Sequence, residues 1–150
     1  ASARAAGLET VVSPDIMGAM WDKLLVNAAT GALAAITGLG YGDLYRVPEL
    51  EATAVAAVAE GMAVARAKGI ALTFTDARAP WIKAGAGLPA DFRASMLQSL
   101  DKGMLTEIDF INGAVVRAGA AAGVPTPVNA TLVALVKGVE VPIRKRLADG

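Results

Sequence analysis

A long helical pattern near the start of the chain constrains the fold more than any other feature. From "SPDI" at 13–16 the apolar residues follow helical spacing to about Thr37, with Ser13 predicted as the N-cap and Pro14 at the first helical position. The stretch 24–42 is almost long enough to cross a bilayer and carries no charge. Polar residues and glycines interrupt it, however, so we expect tightly packed, alanine-rich helices instead of a membrane span.

Signals that start and stop helices recur along the rest of the chain, whereas strand signals are scarce. Only "LETVV" at 8–12 could be a strand. About six helices without longer strand alternation predict an all-α domain, a helical bundle. After the first helix, the predicted helices run from Pro48 to a cap at Gly69, within 73–85, within 88–103, from Thr106 to Gly123, and from Thr126 to about 146.

The composition excludes several classes of chemistry. The chain contains no cysteine and no histidine, which rules out disulfides, thiol catalysis, histidine-dependent triads and the usual zinc or iron ligands, so we expect no metal. Fourteen basic and fourteen acidic residues cancel, and no surface for nucleic acid or membrane is indicated. The start of the chain lacks the continuous apolar core of a signal peptide, which favours a cytoplasmic protein.

Three residues spaced four apart, Lys23, Asn27 and Gly31, form one stripe on the first predicted helix. Without histidine or cysteine, proton transfer must use lysine, a carboxylate or tyrosine, and partial burial would lower the pKa of a lysine from about 10.4 toward neutrality. A lysine that extends from the helix surface to solvent is the alternative for Lys23. Glu107, in the first turn of its predicted helix, is stabilised by the helix dipole whatever its function.

Four segments together resemble a known family. They resemble the C-terminal domain of the ketopantoate reductases (2-dehydropantoate 2-reductases), NADPH-dependent oxidoreductases of pantothenate and coenzyme A synthesis. The resemblance covers nearly the whole chain and implies the helical bundle of the 6-phosphogluconate dehydrogenase-like reductases. The segments are "MWDKLLVNAATGALAAITG" at 20–38, "GDLYR" at 42–46, "SMLQSLDKGMLTEIDFINGAVV" at 95–116 and "GVPTPVNATLVALVKGVE" at 123–140.

The resemblance implies a role for four residues in the reduction of 2-dehydropantoate to pantoate. Lys23 matches the general acid that protonates the developing alkoxide, and Asn27 matches an asparagine that hydrogen-bonds the substrate. Ser95 matches the serine that holds the substrate carboxylate. Glu107 matches a glutamate that binds or orients the substrate and the lysine.

One position departs from the family pattern. Where the family commonly has a further asparagine, this chain has Gly31, so that contact would be absent or supplied by another side chain such as Thr30. Two alternatives to ketopantoate reduction stay open. The chain could reduce a different 2-oxo acid, or its alanine-rich helices could form a non-enzymatic dimerisation module; whether it is a monomer or a homodimer is equally open.

A hydride donor requires a glycine-rich turn between a strand and a helix, and no such unit is visible. "GLGYGD" at 38–43 follows a helical pattern instead of a strand. The chain also begins without methionine, in the middle of an element. We therefore expect residues 1–150 to be a helical substrate-binding and catalytic domain, inactive alone, with 1–12 as the connector from an N-terminal Rossmann domain that binds NADPH.

Overall fold

The structure is a computed structural model that describes residues 15–150, and this range contains α-helices and one 3₁₀ turn but no β-strand. It confirms the prediction of an all-α fold. The predicted strand at 8–12, the connector at 1–12 and the helix start at Ser13 and Pro14 lie outside the described residues. The helices are α1 (Ile16–Thr37), α2 (Tyr41–Leu44), α3 (Pro48–Ala67), α4 (Ala79–Gly85), α5 (Ser95–Asp101), the 3₁₀ turn (Ile108–Phe110), α6 (Asn112–Ala122), α7 (Pro127–Val139) and α8 (Val141–Asp149).

Helix α1 forms the centre of the bundle. It packs against α3, α4, α5 and α7, while α6 packs between α3 and α7. Every residue from 28 to 35 is buried, and most of them are alanine. Small side chains let neighbouring helices approach closely. Because this part of α1 is apolar on all sides, it lies inside the core.

Two predicted helix ends are confirmed in detail. After α3, the N–H of Gly69 donates to the carbonyl of Arg66 (3.1 Å) and the N–H of Ile70 donates to Ala65 (2.9 Å). Gly69 has φ +68°, and this pair of bonds is the Schellman arrangement. Gly123 ends α6 in the same left-handed region, with φ +69°.

The helix predicted to start at Thr106 starts six residues later, at Asn112, after the 3₁₀ turn. Two side chains near the predicted start of this helix, Thr106 and Asp109, have partners elsewhere in the fold. Thr106 donates its N–H (2.8 Å) and its hydroxyl (2.7 Å) to Glu140 Oε1, and Asp109 forms an ion pair with Lys137 (2.9 Å). The Thr106 hydroxyl also accepts the N–H of Ile108 (3.2 Å), so Thr106 caps the 3₁₀ turn locally while tertiary contacts hold it in place.

The predicted final helix is divided in two, and the predicted short helices are shorter than expected. Pro142 has no N–H to bond the carbonyl of Gly138, and its ring would crowd that carbonyl, so the chain turns at Glu140 between α7 and α8. The helices expected within 73–85 and 88–103 are α4 and α5, each of seven residues.

Buried amides join four helices behind the exposed face of α1. The amide nitrogen of Asn112 donates to the carbonyl of Ala28 (3.4 Å) and to Asn129 Oδ1 (3.0 Å). Asn129 in turn donates to the carbonyl of Ala57 (2.9 Å) and to Glu60 Oε2 (2.7 Å). This network fixes the backbone of α1 immediately after Asn27.

Candidate functional site

A cavity of about 270 Å³ lies beside α1 and brings together residues that are distant in the sequence. Two of the four residues predicted as site residues, Asn27 on α1 and Ser95 at the start of α5, both line it. Both residues are exposed in the described structure, so their polar groups are accessible to a ligand. The other lining residues are Val26, Thr30, Gly31, Tyr41, Ala84, Leu88, Phe92, Ala94, Met96 and Ile111.

Lys23 lies one helical turn before Asn27, on the same face of α1 and about 6 Å away along the helix axis. It is exposed and is not itself among the residues that line the cavity. Within residues 15–150 its ammonium forms no ion pair. The stripe predicted from the sequence thus places a cationic side chain next to the end of the cavity that Asn27 forms.

Glu107 is exposed and directly precedes the 3₁₀ turn. The prediction that it lies in the first turn of an α-helix is therefore wrong. Ile111, four residues later, lines the cavity. In the described part of the chain, the carboxylate of Glu107 forms no hydrogen bond or ion pair with Lys23, Asn27 or Ser95. The structure brings the segment of Glu107 to the border of the cavity without joining its carboxylate to the other three residues.

The backbone next to Glu107 is anchored by a buried carboxylate. Glu140 is fully buried and accepts two hydrogen bonds from Thr106 and one from Arg144 (2.8 Å). Burial alone would raise the pKa of Glu140, but the hydrogen bonds from Thr106 and the Arg144 guanidinium outweigh burial and hold that pKa below its usual value. Glu140 therefore stays ionised and holds residue 106 in place.

Tyr41 is a cavity residue that the sequence analysis did not single out. Its hydroxyl lies 3.0 Å from the hydroxyl of Thr30, and both residues are buried. Burial raises the pKa of the Tyr41 phenol, and the hydrogen bond with Thr30 opposes this only in part, so the phenol is protonated at neutral pH. The two residues are joined only because the glycines after α1 reverse the chain, and no local spacing signals that contact.

Aromatic side chains separate this cavity from a larger one of about 560 Å³. Tyr41 meets Phe92 edge to face at 5.0 Å between ring centroids, and Tyr45 stacks on Trp81 at 4.1 Å. Tyr41 and Leu88 line both cavities. The larger cavity contains none of the four predicted site residues, so we assign the candidate site to the smaller one.

The cavity is polar at one edge and uncharged throughout. Its lining has the polar side chains of Asn27, Thr30, Tyr41 and Ser95, and no lining residue carries a formal charge. Uncharged hydrogen-bond donors can hold an anionic group, while the nearest turn of α1 supplies the lysine. This arrangement suits a small carboxylate ligand whose other part is apolar.

Residues 15–150 show no sign of a metal site, a membrane span or a nucleotide cradle. No cluster of acidic side chains could hold a metal ion, and no helix combines the length and hydrophobicity needed to cross a bilayer. The glycine-rich segment 38–43 lies between α1 and α2, and no strand precedes it. The described residues therefore do not form the strand–turn–helix cradle of a dinucleotide.

Sequence comparison finds relatives across most of the chain. The family model for "Ketopantoate reductase PanE/ApbA C terminal" matches residues 15–140. A 2-dehydropantoate 2-reductase of Archaeoglobus fulgidus is 39% identical over 137 residues, which cover 91% of this chain and 45% of that protein. The 2-dehydropantoate 2-reductase of Pyrococcus horikoshii is 35% identical over 135 residues, which cover 90% of this chain and 44% of that protein. The chain thus spans less than half the length of these curated relatives.

Solved structures agree with this likeness. A PanE/ApbA family ketopantoate reductase from Ralstonia eutropha JMP134 superposes with a TM-score of 0.78 at 41% identity, covering 88% of this chain and 44% of that one. A D-mandelate dehydrogenase, solved with NADH and anilino(oxo)acetate, superposes with a TM-score of 0.82 at 27% identity, covering 95% and 79%. The fold of this chain therefore occurs both in a ketopantoate reductase and in a D-mandelate dehydrogenase.

Proposed function

This chain belongs to the ketopantoate reductase family, and from that premise we propose that it is the substrate-binding and catalytic domain of an NADPH-dependent reductase that converts 2-dehydropantoate to pantoate. One observation carries the proposal. Asn27 and Ser95, which belong to different helices, line one uncharged cavity, and Lys23 lies on the adjacent turn of α1.

The reaction creates negative charge on the oxygen of the substrate carbonyl. A reduced nicotinamide would supply the hydride to the carbonyl carbon. The oxygen then needs a proton, and an ammonium group can both stabilise the developing charge and donate that proton. Lys23 is the cation of α1 nearest to Asn27, so we assign it as the general acid.

Asn27 and Ser95 would hold the substrate in the orientation that this proton transfer requires. The Ser95 hydroxyl can donate to the carboxylate, and the Asn27 amide can donate to the same group or to the carbonyl oxygen. Uncharged donors bind these oxygens without placing a second fixed cation in the cavity. A ligand that lacks matching oxygens would leave these donors unpaired, which favours 2-oxo acids over simple ketones.

Glu107 would complete the site by orienting Lys23 or the substrate. The support is its position: the bond from Thr106 to Glu140 fixes the preceding residue, and Ile111 places the same segment at the cavity. For its carboxylate to approach Lys23, the side chain must change rotamer on ligand binding. This assignment therefore depends on a ligand-bound arrangement.

A second domain would hold the nicotinamide nucleotide. Residues 15–150 lack a dinucleotide cradle, and the chain covers less than half of its curated relatives. We assign the nucleotide to an N-terminal Rossmann domain whose docking would cover Lys23 and reduce its access to water. On this proposal the helical domain alone does not turn over, and the whole enzyme works in the cytoplasm.

The test is NADPH oxidation by the full-length protein with 2-dehydropantoate as substrate. Lys23→Ala is expected to lower kcat by a factor of about 10²–10⁴ with a smaller change in KM, because the proton donor acts in the transition state. Lys145→Ala, which removes an exposed lysine from α8, is the matched control and should stay within about twofold of the parent.

The alternatives give different results in the same assay. If the enzyme reduced another 2-oxo acid but not 2-dehydropantoate, the reductase assignment would stand and the substrate assignment would be wrong. A Lys23→Ala enzyme as active as the parent would remove Lys23 from the mechanism. If the full-length protein reduced no 2-oxo acid, a helical association module would be the better account.

A further inference from the structure

The floor of the cavity is formed by an unusual pair of residues, a glycine inside α1 and a methionine that covers it. A Cβ atom added at Gly31 would lie 3.1 Å from Cε, 3.4 Å from Sδ and 3.5 Å from Cγ of Met96. Both residues line the cavity, and Met96 is only 1% exposed. The methionine side chain therefore lies along the space that any side chain at position 31 would occupy.

Glycine at this position has a cost in folding that packing must offset. In the middle of a helix, glycine is less favourable than alanine by about 0.5–1 kcal/mol. Gly31 lies within the continuously buried part of α1, where alanine occupies most neighbouring positions. The structural difference that glycine makes here is the room it leaves for the thioether of Met96.

Met96 is also in a position to limit the size of a bound ligand. It follows Ser95, which lines the same cavity, so Met96 lies next to the proposed carboxylate site. An unbranched thioether adapts its shape more easily than a branched side chain. A ligand held at Ser95 would thus place the group beyond its carboxylate against a flexible apolar surface.

The remaining surface of the cavity is suited to an apolar substituent. It consists of aliphatic side chains and one aromatic ring, and no formal charge opposes it. Such a surface gains free energy from each apolar group that it covers and discriminates between ligands by their size. These lining residues are Val26, Ala84, Leu88, Phe92, Ala94 and Ile111.

We propose that the Gly31–Met96 contact sets the size of the substrate side chain, and that the site accepts 2-oxo acids with a branched or aromatic apolar substituent on the carbonyl carbon. This inference rests on the proposed function, since it assumes that Asn27 and Ser95 bind the 2-oxo acid head. It adds a pair of specificity-determining residues, neither of which transfers a proton.

The test compares three substrates of increasing size in the full-length enzyme with NADPH: pyruvate, 3-methyl-2-oxobutanoate and phenyl(oxo)acetate. The parent is expected to favour the branched substrate over pyruvate by at least about tenfold in kcat/KM. In Gly31→Ala the new Cβ would lie 3.1 Å from Met96 Cε, and we expect Met96 to shift toward the cavity in response. This change should lower kcat/KM for phenyl(oxo)acetate by about tenfold and for pyruvate by much less.

Two further variants identify the methionine as the residue that transmits this effect. Met96→Ala enlarges the cavity and should raise the ratio of kcat/KM for phenyl(oxo)acetate over pyruvate. Adding Gly31→Ala to Met96→Ala should then change kcat/KM for phenyl(oxo)acetate very little, because the Met96 atoms that the new Cβ would displace are absent. Gly138→Ala is the matched control, since a Cβ at this helical glycine has open space around it.

Each outcome decides the inference. Substrate ratios that change as described support it. Ratios that stay constant in Gly31→Ala and Met96→Ala, in an enzyme that reduces 2-oxo acids, overturn it and leave the proposed function intact. The inference is also overturned if Gly31→Ala lowers kcat/KM for phenyl(oxo)acetate by the same factor in the parent and in the Met96→Ala variant. A parent enzyme that reduces none of the three substrates nor 2-dehydropantoate removes the proposed function, and the inference fails with it.

Discussion

Glu60 on α3 binds both the backbone and the side chain of Asn129 on α7. Its Oε2 atom accepts hydrogen bonds from the backbone N–H (3.0 Å) and the amide nitrogen (2.7 Å) of Asn129, while Oε1 accepts the N–H of Val128 (2.8 Å). A carboxylate from another helix thus caps the N-terminus of α7, where the helix dipole favours negative charge. Thr126, at the N-cap position, makes no side-chain capping bond.

We therefore predict that Glu60→Ala destabilises the domain by about 2–3 kcal/mol, because it leaves helix N–H groups and the Asn129 amide without their charged acceptor. Equilibrium unfolding in urea measures the change. The control Glu49→Ala removes an exposed carboxylate from the first turn of the same helix and should cost less than about 1 kcal/mol. Equal losses in the two variants would argue against the cap.

Stability should fall in acid through Glu140. The pKa of this buried carboxyl is lowered in the folded protein from the ordinary value of 4.5, so its contribution is complete above that value and is lost as the pH falls through the folded pKa. Urea unfolding at pH values from about 7 down to about 3 should therefore show a steeper loss in the parent than in Glu140→Gln.

The same variant gives a second readout at neutral pH. There Glu140→Gln should be less stable by about 1–3 kcal/mol, since the charged acceptor of Thr106 and Arg144 is gone. A variant with the same pH dependence as the parent would show that other carboxyl groups determine the acid sensitivity. Glu49→Gln, an exposed site, provides the reference.

Loss of Ser95 or Asn27 should weaken binding of the 2-oxo acid. Each substitution by alanine removes a hydrogen bond to a charged or charge-developing oxygen, and kcat/KM is expected to fall by about 10–100-fold. Ser99→Ala is the control for Ser95, because Ser99 lies on the same helix and does not line the cavity. If Ser95→Ala and Ser99→Ala behaved alike, Ser95 would have no direct role in binding.

Gly119→Ala should destabilise the turn between α6 and α7. The added Cβ would lie 2.7 Å from Thr126 Cγ2 and 2.8 Å from the carbonyl oxygen of Val124, and a backbone oxygen cannot move away without moving the turn. The expected cost is about 1–3 kcal/mol. Thermal unfolding of this variant beside Gly138→Ala, where the Cβ meets nothing, separates the clash from the general effect of alanine in a helix. Equal melting temperatures would contradict the predicted clash.

Features encoded in neighbouring residues were predictable from the sequence. The end of α1 at Thr37 and the caps at Gly69 and Gly123 follow from apolar spacing and glycine placement, which act within a few residues. The stripe of Lys23 and Asn27 is equally local, because it needs only the helical repeat.

Features that depend on distant partners were not predictable in this way. Thr106 has the residue type of a helix cap, yet both groups that it donates, its N–H and its hydroxyl, bond to Glu140, 34 positions away. Likewise, the contact of Thr30 with Tyr41 depends on how α2 packs back on α1. The pairing of Asn27 with Ser95 came from the family resemblance, since no spacing rule links residues in different helices.

The burial of α1 also determines how the site becomes ordered. Residues 28–35 are enclosed on every side, so their amide hydrogens should exchange with deuterium only when the whole domain opens. Gly31 belongs to this slowly exchanging segment, and Asn27 directly precedes it. The conformational entropy lost in ordering this edge of the cavity is therefore lost during folding, and a ligand that arrives there finds the backbone already fixed.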